Sequence, residues 1–489
     1  MTTKSGGYLA IDLGASSGRA VLGTLAGDVM HMDEVHRFPT PMLEIDGHLY
    51  WDIDAMWQDI RAALEKMRAS GQRLRSISVD SWAVDYVPID ANGAAVRRPY
   101  SYRDTRTNGR MRTAVKYAGG ADVLYSRTGI QFLPFNTLPQ VIADLEDEPE
   151  LARRTESRLL IAEYFMFRLS GRVFAEATNA STTQLVDTHT GRWSTALLTA
   201  IGDDVSRWPE IVAAGTVLGP LMPGLPGGDD DAPPTIIATC AHDTAAAVAA
   251  VPASADRAWA YISSGTWSLV GAELPAHVLT REAREAGFTN EAGLDGTVRF
   301  LRNRAGMWVL EELRREWSEA GRPIAIADLM RDAEAAPASA CTIDLNAPAF
   351  AERGGMTQRI ADACEKQDFA APRTPAAFAR LVLESLAVSH ANAIHQLETV
   401  TAMPVDDVHI VGGGARNDFL SQLTADRTNR RVVAGPAEAT VLGNLLVQAR
   451  TLGDLPRDVT VRDASRRSTT TREFTPRLAG DAAGSPFIK

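Results

Sequence analysis

Two segments in different halves of the chain share one order of residue types: a hydrophobic strand pattern, a turn of Ser, Thr and Gly residues, and a second hydrophobic strand pattern. The first reads Y-L-A-I-D-L-G (8–14), A-S-S-G and R-A-V-L-G-T-L (19–25). The second reads R-A-W-A-Y-I (257–262), S-S-G-T (263–266) and W-S-L-V-G-A-E-L (267–274). Such turns present backbone N–H groups and hydroxyls with little side-chain bulk, which suits a polyphosphate. The pattern predicts two β-hairpins and is consistent with a duplicated core.

Strand-like and helix-like patterns alternate along the rest of the chain. The segment M-W-Q-D-I-R-A-A-L-E-K-M (56–67) has helical periodicity, S-I-S-V-D (76–80) reads as a short strand, and L-P-G-G-D-D-D-A-P-P (225–234) has the composition of a loop. This alternation is typical of α/β architecture. Because 489 residues exceed what one hydrophobic core usually supports, we expect two domains.

The composition is that of an ordinary globular protein, with 45% hydrophobic and 23% charged residues. A net charge of −11 argues against nucleic acid or an anionic membrane as the main partner, since both favour a basic surface. The cysteines Cys240, Cys341 and Cys364 are too few and too scattered for a disulfide framework or a zinc site, which indicates a reducing compartment. The N-terminus lacks a hydrophobic signal core, and no apolar run reaches membrane-spanning length. We therefore expect a cytoplasmic protein, with a mobile tail after Leu478.

The stretch A-T-C-A-H-D-T-A-A-A-V-A-A-V-P (238–252) places His242 and Asp243 between a β-branched approach and a run of alanines. One interpretation is a helix cap, because Asp accepts the free backbone N–H groups of a first helical turn. The other is a carboxylate at the carboxyl edge of a strand, where α/β enzymes bind their ligands. These residues alone leave both open. Cys240 is interpreted as a small buried hydrophobe.

Three glycines follow a predicted strand in D-D-V-H-I-V-G-G-G-A-R-N-D-F-L (406–420), and a helix pattern comes next. Glycine permits positive φ and the close approach of a ligand to the backbone. One glycine is easily explained by a structural turn, whereas three at a strand end favour a ligand site. Neither the Rossmann pattern nor the P-loop pattern occurs, so a nucleotide would have to be bound by other means.

Six motifs then occur in order along the chain, and together they resemble the carbohydrate kinases of the FGGY family. They are D-L-G-A-S-S-G-R (12–19), Y-R-D-T-R-T (102–107), A-H-D-T (241–244), S-S-G-T-W (263–267), V-G-G-G-A-R-N (411–417) and G-P-A-E-A-T-V-L-G-N (435–444). One motif alone would say little. The ordered set spans most of the chain.

Within that family, the chain is most similar to the subgroup that phosphorylates L-rhamnulose. The similarity rests on V-D-S-W-A-V-D-Y (79–86), T-G-I-Q-F-L-P-F-N-T-L (128–138), A-H-D-T-A-A-A-V (241–248) and an N-x-x-G-x-W element formed by Asn303, Gly306 and Trp308. The implied reaction transfers the γ-phosphate of ATP, with Mg²⁺, to the C1 hydroxyl of L-rhamnulose and gives L-rhamnulose 1-phosphate. Such a transfer needs in-line positioning and charge stabilisation more than covalent participation by the protein.

The resemblance implies an actin-like, ribonuclease-H-like ATPase fold with two duplicated α/β domains and an interdomain cleft. Residues 1–252 are expected to form an N-terminal sugar-binding domain. Residues 253–489 are expected to form a C-terminal ATP-binding domain, whose last helix is able to pack back on the first.

The resemblance also implies roles for individual residues of the sugar site. Asp243 matches the base that accepts the proton of the acceptor hydroxyl. His242, Thr244, Ala83 and Asn303 match sugar contacts. The subgroup usually has Gly where this chain has Ala83, so an extra methyl narrows the expected pocket.

The residues implied for ATP lie in both halves of the chain: Ala15, Ser16, Ser17, Gly18, Arg19, Gly265, Thr266, Glu311, Gly413 and Gly414. Arg19 would offer the transferring phosphoryl group a planar, permanently charged fork. Asp12 is the residue expected to orient Mg²⁺, through water, because this ion keeps much of its hydration shell. Glu311 stands where the subgroup has Gln, and a carboxylate lacks the donors of an amide.

Several of these residues also have a purely structural interpretation. His242 would be a core histidine, Arg19 a solvated strand-edge arginine and Asp12 a hydrogen-bonding partner of the loop. Other residues have interpretations outside the sugar and ATP sites. Trp82 packs or forms a sugar platform, and Asn417 caps a helix or contacts nucleotide. Asp104 and Arg106 brace the first domain by an internal ion pair, and His390 and His395 pack against helices or lie at the surface.

The sequence therefore predicts an ATP- and Mg²⁺-dependent ketose kinase that binds small molecules rather than nucleic acid or membrane. A monomer or a weak homodimer is expected. Two alternatives stay open: a related kinase for another ketose or polyol, such as L-fuculose or L-xylulose, and a catalytically silent protein that senses sugar or nucleotide. The presence of Asp243 and of both Ser/Thr/Gly turns argues against a catalytically silent protein.

Overall fold

The computed structural model describes residues 6–477, and these residues divide into two compact units. The first unit comprises the residues up to 250 together with 273–300 and 439–468. The second comprises 251–272, 301–438 and the residues from 469 onward. The sequence-based boundary at residue 252 stays a prediction, and the expectation for the tail after Leu478 lies outside the described residues.

The strands of residues 6–477 are β1 (Gly7–Leu13), β2 (Ser17–Ala26), β3 (Val29–Pro39), β4 (Met42–Ile45), β5 (His48–Trp51), β6 (Leu74–Ser81), β7 (Tyr86–Ile89), β8 (Ser157–Leu160), β9 (Ala175–Glu176), β10 (Val186–Asp187), β11 (Arg192–Trp193), β12 (Ile211–Val212), β13 (Thr216–Pro220), β14 (Thr235–Ala238), β15 (Trp259–Ser264), β16 (Trp267–Leu274), β17 (Thr289–Ala292), β18 (Val298–Ala305), β19 (Asp407–Val411), β20 (Arg431–Ala434) and β21 (Arg472–Phe474).

The α-helices are α1 (Ile53–Ala69), α2 (Arg110–Tyr117), α3 (Ala121–Thr128), α4 (Thr137–Asp147), α5 (Pro149–Arg154), α6 (Ile161–Ser170), α7 (Ala177–Ala180), α8 (Thr195–Ile201), α9 (Asp243–Ala249), α10 (Arg281–Glu285), α11 (Trp308–Glu319), α12 (Ile326–Ala335), α13 (Met356–Glu365), α14 (Pro375–Thr401), α15 (Asp418–Thr428), α16 (Ala439–Thr451) and α17 (Val461–Ser468). Short 3₁₀ turns include Thr105–Thr107 and Gly413–Arg416.

The central sheet of the first unit has the strand order β13-β14-β6-β1-β2-β3. Strand β1 pairs antiparallel with β2 and parallel with β6, and β6 pairs parallel with β14. Ile11 of β1 and Ile77 and Val79 of β6 are completely buried, as are Met56 and Ile60 of α1, which belong to the same core cluster. Apolar residues on both faces of a strand are typical of a parallel sheet covered on both sides.

The second sheet has the order β17-β18-β16-β15-β19-β20-β21. Strand β15 pairs antiparallel with β16 and parallel with β19, β19 pairs parallel with β20, and β20 pairs antiparallel with β21. From β18 to β21, this repeats the order from β3 to β13 in the first sheet. The duplicated α/β core that the sequence predicts is therefore confirmed.

The local sequence predictions are also confirmed. The segments 8–14 and 19–25 form the hairpin β1–β2, and 257–262 and 267–274 form the hairpin β15–β16. The helix predicted over 56–67 lies within α1, and the strand predicted over 76–80 lies within β6. These segments were predictable because turn residues and hydrophobic periodicity act over short distances.

Two helices of the first unit, α9 and α16, approach each other closely at Gly443. A Cβ atom at this position would overlap the backbone carbonyl oxygen of Ala246 on α9. The next residue, Asn444, donates from Nδ2 to Oδ2 of Asp80 at 2.6 Å, and Gln448 donates to Asn444 Oδ1 at 2.7 Å. Only a glycine at 443 allows this approach, which brings the buried amide of α16 to the end of β6.

Two further findings bear on the sequence predictions. None of the helices within residues 6–477 combines the length and apolarity needed to cross a membrane. The three cysteines are buried and free, as expected for Cys240. The sulfur atoms of Cys341 and Cys364 lie 3.7 Å apart without a disulfide bond, so these two residues, separated in sequence, are neighbours in the fold.

We expect Gly443→Ala to lower the free energy of unfolding by about 1–3 kcal/mol, because the added methyl must push α9 and α16 apart. The measurement is the midpoint of chemical denaturation. Gly413→Ala is the matched control, since it adds the same methyl where no atom lies within 4 Å. Equal stability of the two variants would contradict the close approach of the helices.

Candidate active site

Asp243 is the first residue of α9, directly after the N-cap residue His242. Its Oδ1 accepts hydrogen bonds from the backbone N–H of Thr244 at 2.5 Å and from Thr244 Oγ1 at 3.1 Å. The side chain is 30% exposed, and within residues 6–477 Oδ2 accepts no hydrogen bond. The N-cap residue of α9 is thus His242, although Asp243 does accept one backbone N–H of the first helical turn, as the capping interpretation expects. One carboxylate oxygen is fixed and the other is available.

A second carboxyl group, that of Asp80, lies near the end of β6 and is fully buried. Burial raises its pKa well above the ordinary value, and the carboxylates of Asp12 and Asp243 raise it further. Burial likewise raises the pKa of Asp243, with His242 lowering it and Asp12 raising it. The three carboxyl groups thus lie close enough to influence one another at the carboxyl ends of neighbouring parallel strands.

The hairpin turn between β1 and β2 contains Ala15 and Ser16, the latter exposed. The turn is closed by a hydrogen bond from Gly14 N–H to Ser17 O at 3.1 Å. Gly18 faces the protein, because a Cβ there would collide with the ring of Phe38. Packing thus requires the glycine at 18, and the exposed part of the turn is Ser16.

Arg19 follows this turn and is directed at Asp12. Its Nε and Nη2 donate to Asp12 Oδ2 at 2.9 and 2.8 Å. The interpretation of Arg19 as a solvated strand-edge residue is therefore wrong, and Asp12 bonds to Arg19, which lies opposite it on β2. Roles of Arg19 toward phosphate and of Asp12 toward Mg²⁺ stay predictions.

The donor atoms around Asp12 fit a hydrated divalent cation. Residues 6–477 contain no group of three or more His, Cys, Asp or Glu side chains arranged to hold a metal ion. Mg²⁺ keeps several waters and usually takes one or two carboxylates, so a complete protein cage is not required. The fit rests on oxygen donors: the carboxylate of Asp12 and the buried Oδ1 of Asp80, which has no hydrogen-bond partner within the described chain.

The peptide expected to contact sugar, at Ala83, lies in a strained turn. Val84 has a φ of +72°, and the N–H of Asp85 donates to the carbonyl of Ala83 at 3.0 Å, which is the hydrogen bond of a γ-turn. A positive φ is unusual for a β-branched residue. The carbonyl of Val84 accepts from Thr137 Oγ1 at 2.7 Å, which helps to hold the turn.

Asp85 fixes this turn from the inside of the protein. Its carboxylate accepts from Trp51 Nε1, Trp82 Nε1, the N–H of Tyr102 and Gln140 Nε2 at 2.7–3.0 Å. Burial raises its pKa to about 6, although these four donors lower it. Trp82 is itself buried and packs on Trp51, with ring centroids 4.2 Å apart. Trp82 is thus a packing residue rather than a sugar platform.

His242 lies beside the end of β6, where Ser81 donates from its N–H to the carbonyl of Ala241 at 2.9 Å. The ring Nε2 is 3.4 Å from Asp243 Oδ1, and Nδ1 is 3.0 Å from Nη2 of the buried Arg299. Of the predicted residues, the first unit therefore brings Asp12, Arg19, His242, Asp243 and Thr244 together at one sheet edge.

The corresponding edge of the second unit carries the turn between β15 and β16. The carbonyls of Gly265 and Thr266 accept from the N–H groups of Met307 and Trp308 at 2.9 and 3.2 Å. Gly306 lies so close to this turn that a Cβ would come within 2.6 Å of both carbonyl oxygens. The G-x-W part of the N-x-x-G-x-W element therefore supports the turn rather than a ligand.

The three glycines after β19 have different surroundings. Gly412 has a φ of +80°, and a Cβ at Gly414 would collide with the hydroxyl of Ser264 at the end of β15. Gly413, in contrast, is exposed, with no atom within 4 Å of a Cβ. Backbone conformation accounts for Gly412 and packing for Gly414, whereas Gly413 leaves space for a ligand at the same sheet edge as Gly265.

The remaining predicted residues of the second unit are spread over three elements. Asn303 is half-buried on β18, and Glu311 is exposed in the first turn of α11. Asn417 accepts the N–H of Leu420 at 2.9 Å and thus caps α15. His390 is buried and lies within 3.4 Å of Thr424 Oγ1 and Ser268 Oγ, as a packing residue would.

One predicted ion pair is wrong. Asp104 does not pair with the guanidinium of Arg106; it accepts the backbone N–H of Arg106 at 2.8 Å and that of Leu49 at 2.7 Å. The guanidinium of Arg106 donates to Asp144 Oδ1 at 2.6 Å, 38 positions along the chain. Both residues do brace the first unit, but with other partners, because the 3₁₀ turn directs their side chains apart.

Sequence reasoning did not single out five residues that form hydrogen bonds or ion pairs around the candidate site: Asp80, Asp85, Glu291, Arg299 and Asn444. Asp80 and Asp85 stand inside the motif V-D-S-W-A-V-D-Y, and Asn444 ends G-P-A-E-A-T-V-L-G-N, so their motifs were a signal. Glu291 and Arg299 lie in no recognised motif. They pair with each other within one segment, but only the fold brings them to His242, which is distant in sequence.

The comparisons with known proteins agree with this geometry. Residues 7–250 match the N-terminal domain of the FGGY family of carbohydrate kinases, and residues 260–452 match its C-terminal domain. A protein of Bacillus subtilis (strain 168) named rhamnulokinase is 38% identical over 96% of this chain and 95% of its own length. Another protein with that name, from Enterobacter sp. (strain 638), is 40% identical over 91% of this chain and 90% of its own length.

Solved structures are similar over nearly the whole chain. A ligand-bound xylulose kinase from Lactobacillus acidophilus superimposes with a TM-score of 0.78 at 16% identity, covering 96% of this chain and 94% of that one. A glycerol kinase from Plasmodium falciparum with ADP superimposes with a TM-score of 0.75 at 15% identity, covering 97% of this chain and 94% of that one. These likenesses support the fold, which is the predicted α/β, actin-like ATPase type. The chain belongs to the FGGY family of carbohydrate kinases.

Proposed function

We propose that the chain transfers the γ-phosphate of ATP to the C1 hydroxyl of L-rhamnulose, giving L-rhamnulose 1-phosphate. The observation that carries the chemistry is the carboxylate of Asp243, whose Oδ1 is held by Thr244 while Oδ2 remains available. The choice of sugar is supported by relatives named rhamnulokinase at 36–40% identity over most of the chain.

In this proposal, Asp243 is the catalytic base. Its Oδ2 accepts the proton of the sugar hydroxyl as that oxygen attacks the γ-phosphorus, and ADP leaves with the broken bond's electrons. Burial raises the pKa of Asp243, which makes its carboxylate a better proton acceptor. His242, Thr244, Ala83 and Asn303 are the proposed sugar contacts.

The proposed ATP contacts are the residues at the two hairpin turns and the glycine turn: Ala15, Ser16, Ser17, Gly18, Arg19, Gly265, Thr266, Glu311, Gly413 and Gly414. Asp12 is the residue proposed to hold Mg²⁺, through water. When bound, the ion would neutralise charge on the phosphates. Arg19, already oriented by Asp12, would add a fixed positive charge beside the same group.

We further propose that the boundary between a sugar-binding and an ATP-binding domain lies at residue 252. The net charge of −11 supports a protein without nucleic acid or anionic membrane as partner. We also propose a cytoplasmic location and a monomer or weak homodimer.

Two other functions make different predictions for the same site. A kinase for another ketose or polyol, such as L-fuculose or L-xylulose, would keep Asp243 and both phosphate turns and differ at the sugar contacts, where Ala83 departs from the usual Gly. A silent sensor of sugar or nucleotide would bind either ligand without consuming ATP. The available Oδ2 of Asp243 favours an active kinase over a sensor.

We expect Asp243→Asn to lower kcat by about 10²-fold or more, because the amide has the same size but cannot accept the proton. The measurement is ATP consumption with L-rhamnulose. In the wild type, kcat/KM should rise with pH through a pKa above the ordinary 3.8 of Asp, since the base works when ionised. In Asp243→Asn, this rise of kcat/KM with pH should be absent.

Calorimetry is the control for the Asp243 experiment, because ATP should still bind to the variant. Near-normal turnover of Asp243→Asn would refute the assignment of the base. Loss of ATP binding together with turnover would show that Asp243 supports the structure of the site instead.

The comparison of Ala83 with glycine tests the choice of sugar. If the pocket accepts L-rhamnulose, Ala83→Gly should change KM modestly, because one methyl in an apolar pocket is worth about 1–3 kcal/mol at most. The measurement is kcat/KM for L-rhamnulose, L-fuculose and L-xylulose in both proteins. A wild type that prefers L-fuculose or L-xylulose, with recovery of L-rhamnulose in the variant, would show that the methyl has redirected the site.

A further inference from the structure

A buried pair of charges lies behind His242, on the side away from Asp243. Arg299, on β18, is completely buried and donates from Nε to the carbonyl of Ala292 at 3.0 Å. Its Nη2 is 2.9 Å from Glu291 Oε2, and Arg299 and His242 lower the pKa of Glu291 in spite of its burial. The carboxylate offsets the cost of burying the guanidinium.

The same Nη2 of Arg299 donates a hydrogen bond to Nδ1 of His242 at 3.0 Å. A guanidinium has only donors, so Nδ1 must be the acceptor and cannot carry a proton in this contact. In a neutral imidazole the proton then lies on Nε2. That nitrogen is 3.4 Å from Asp243 Oδ1, so the N–H of the ring faces the carboxylate.

Glu291 offers the only competing arrangement around the ring within the described residues. Its Oε2 is 3.4 Å from His242 Nδ1 and would accept a proton placed there. That proton would, however, point toward the N–H of Arg299, which is closer and has hydrogen-bond geometry. The contact with Arg299 therefore decides the position of the proton.

We propose that Arg299, supported by Glu291, is a positioning residue that holds His242 in the neutral tautomer protonated on Nε2. This rests on the proposed function of Asp243 as the base. Three donors then face Asp243 Oδ1, namely His242 Nε2 and the two groups of Thr244, and they leave Oδ2 for the sugar proton. His242 thus acts as a donor and not as a second base.

The direct test is NMR of the unliganded protein with ¹⁵N-labelled histidine, assigned by the loss of one signal pair in His242→Gln. We expect Nδ1 of His242 to have the shift of an unprotonated ring nitrogen and Nε2 that of a protonated one. A proton on Nδ1, or a fully protonated ring at neutral pH, would overturn the proposal. This readout needs no substrate, so it stands or falls separately from the proposed sugar.

The second test removes both buried charges together in Arg299→Met/Glu291→Gln, which avoids leaving one charge unpaired. We expect the fixed tautomer to be lost and kcat to fall about 10-fold, with KM for ATP unchanged within about 2-fold, because the base is no longer oriented. The matched control is Arg158→Met/Asp203→Asn. It removes another fully buried pair of the first unit, joined at 2.9 Å, which contacts none of the candidate site residues.

The control variant should keep the tautomer of His242 and the kcat of the wild type. If Arg299→Met/Glu291→Gln also keeps both, the proposed role of Arg299 is overturned. If that double variant does not fold, the same two measurements are made on Arg299→Gln, since an amide, unlike a guanidinium, can also accept a hydrogen bond from Nδ1–H. An unchanged His242 signal and kcat in Arg299→Gln would also overturn the proposal.

Discussion

The parallel pairing of β1 with β6, repeated by that of β15 with β19, is the constraint on which both units depend. Parallel neighbours end at the same edge of a sheet, so the residues that follow them meet there without being close in sequence. In the first unit this edge gathers Asp12, Ser81 and, through the bridge from Ser81 to Ala241, His242 and Asp243. In the second unit it gathers Ser264 and the glycines after β19.

Gathering carboxyl groups at one edge has an electrostatic cost, which the fold offsets locally. Asp80 is buried, and the carboxylates of Asp12 and Asp243 raise its pKa further. The hydrogen bond from the amide of Asn444 lowers the pKa and stabilises the charged form of Asp80. That amide reaches Asp80 because Gly443 lets α16 contact the backbone of α9. The Gly-Asn pair at the end of the last motif therefore combines a steric role and an electrostatic one. Similarly, Arg19 offsets the charge of Asp12.

How much of this was predictable from sequence depends on the distance over which each signal acts. The hairpins, α1 and the glycine turn were predicted because turn residues and periodicity are local. The base and its flanking residues were predicted because a motif keeps them contiguous. Arg299 and Glu291 were missed, since their contacts with His242 join residues dozens of positions apart and leave no local pattern.

Adjacency in sequence also misled in a specific way. Asp104 and Arg106 were assigned to each other, whereas the 3₁₀ turn between them directs one side chain to Leu49 and the other to Asp144. Conversely, Cys341 and Cys364 were treated as scattered and lie in contact. Spacing along the chain is informative only when the element between the residues is known.

The turn at Ala83 shows what the structure adds to a comparison of motifs. Within the described residues, positive φ occurs at Val84 and not at Ala83, so the backbone does not require glycine at position 83. The strain lies one residue later, and the four donors to Asp85 hold it in place. A glycine at 83 in the subgroup would therefore supply space rather than conformational freedom. The methyl of Ala83 lies on a turn that is already fixed, so any effect on the proposed choice of sugar would be steric.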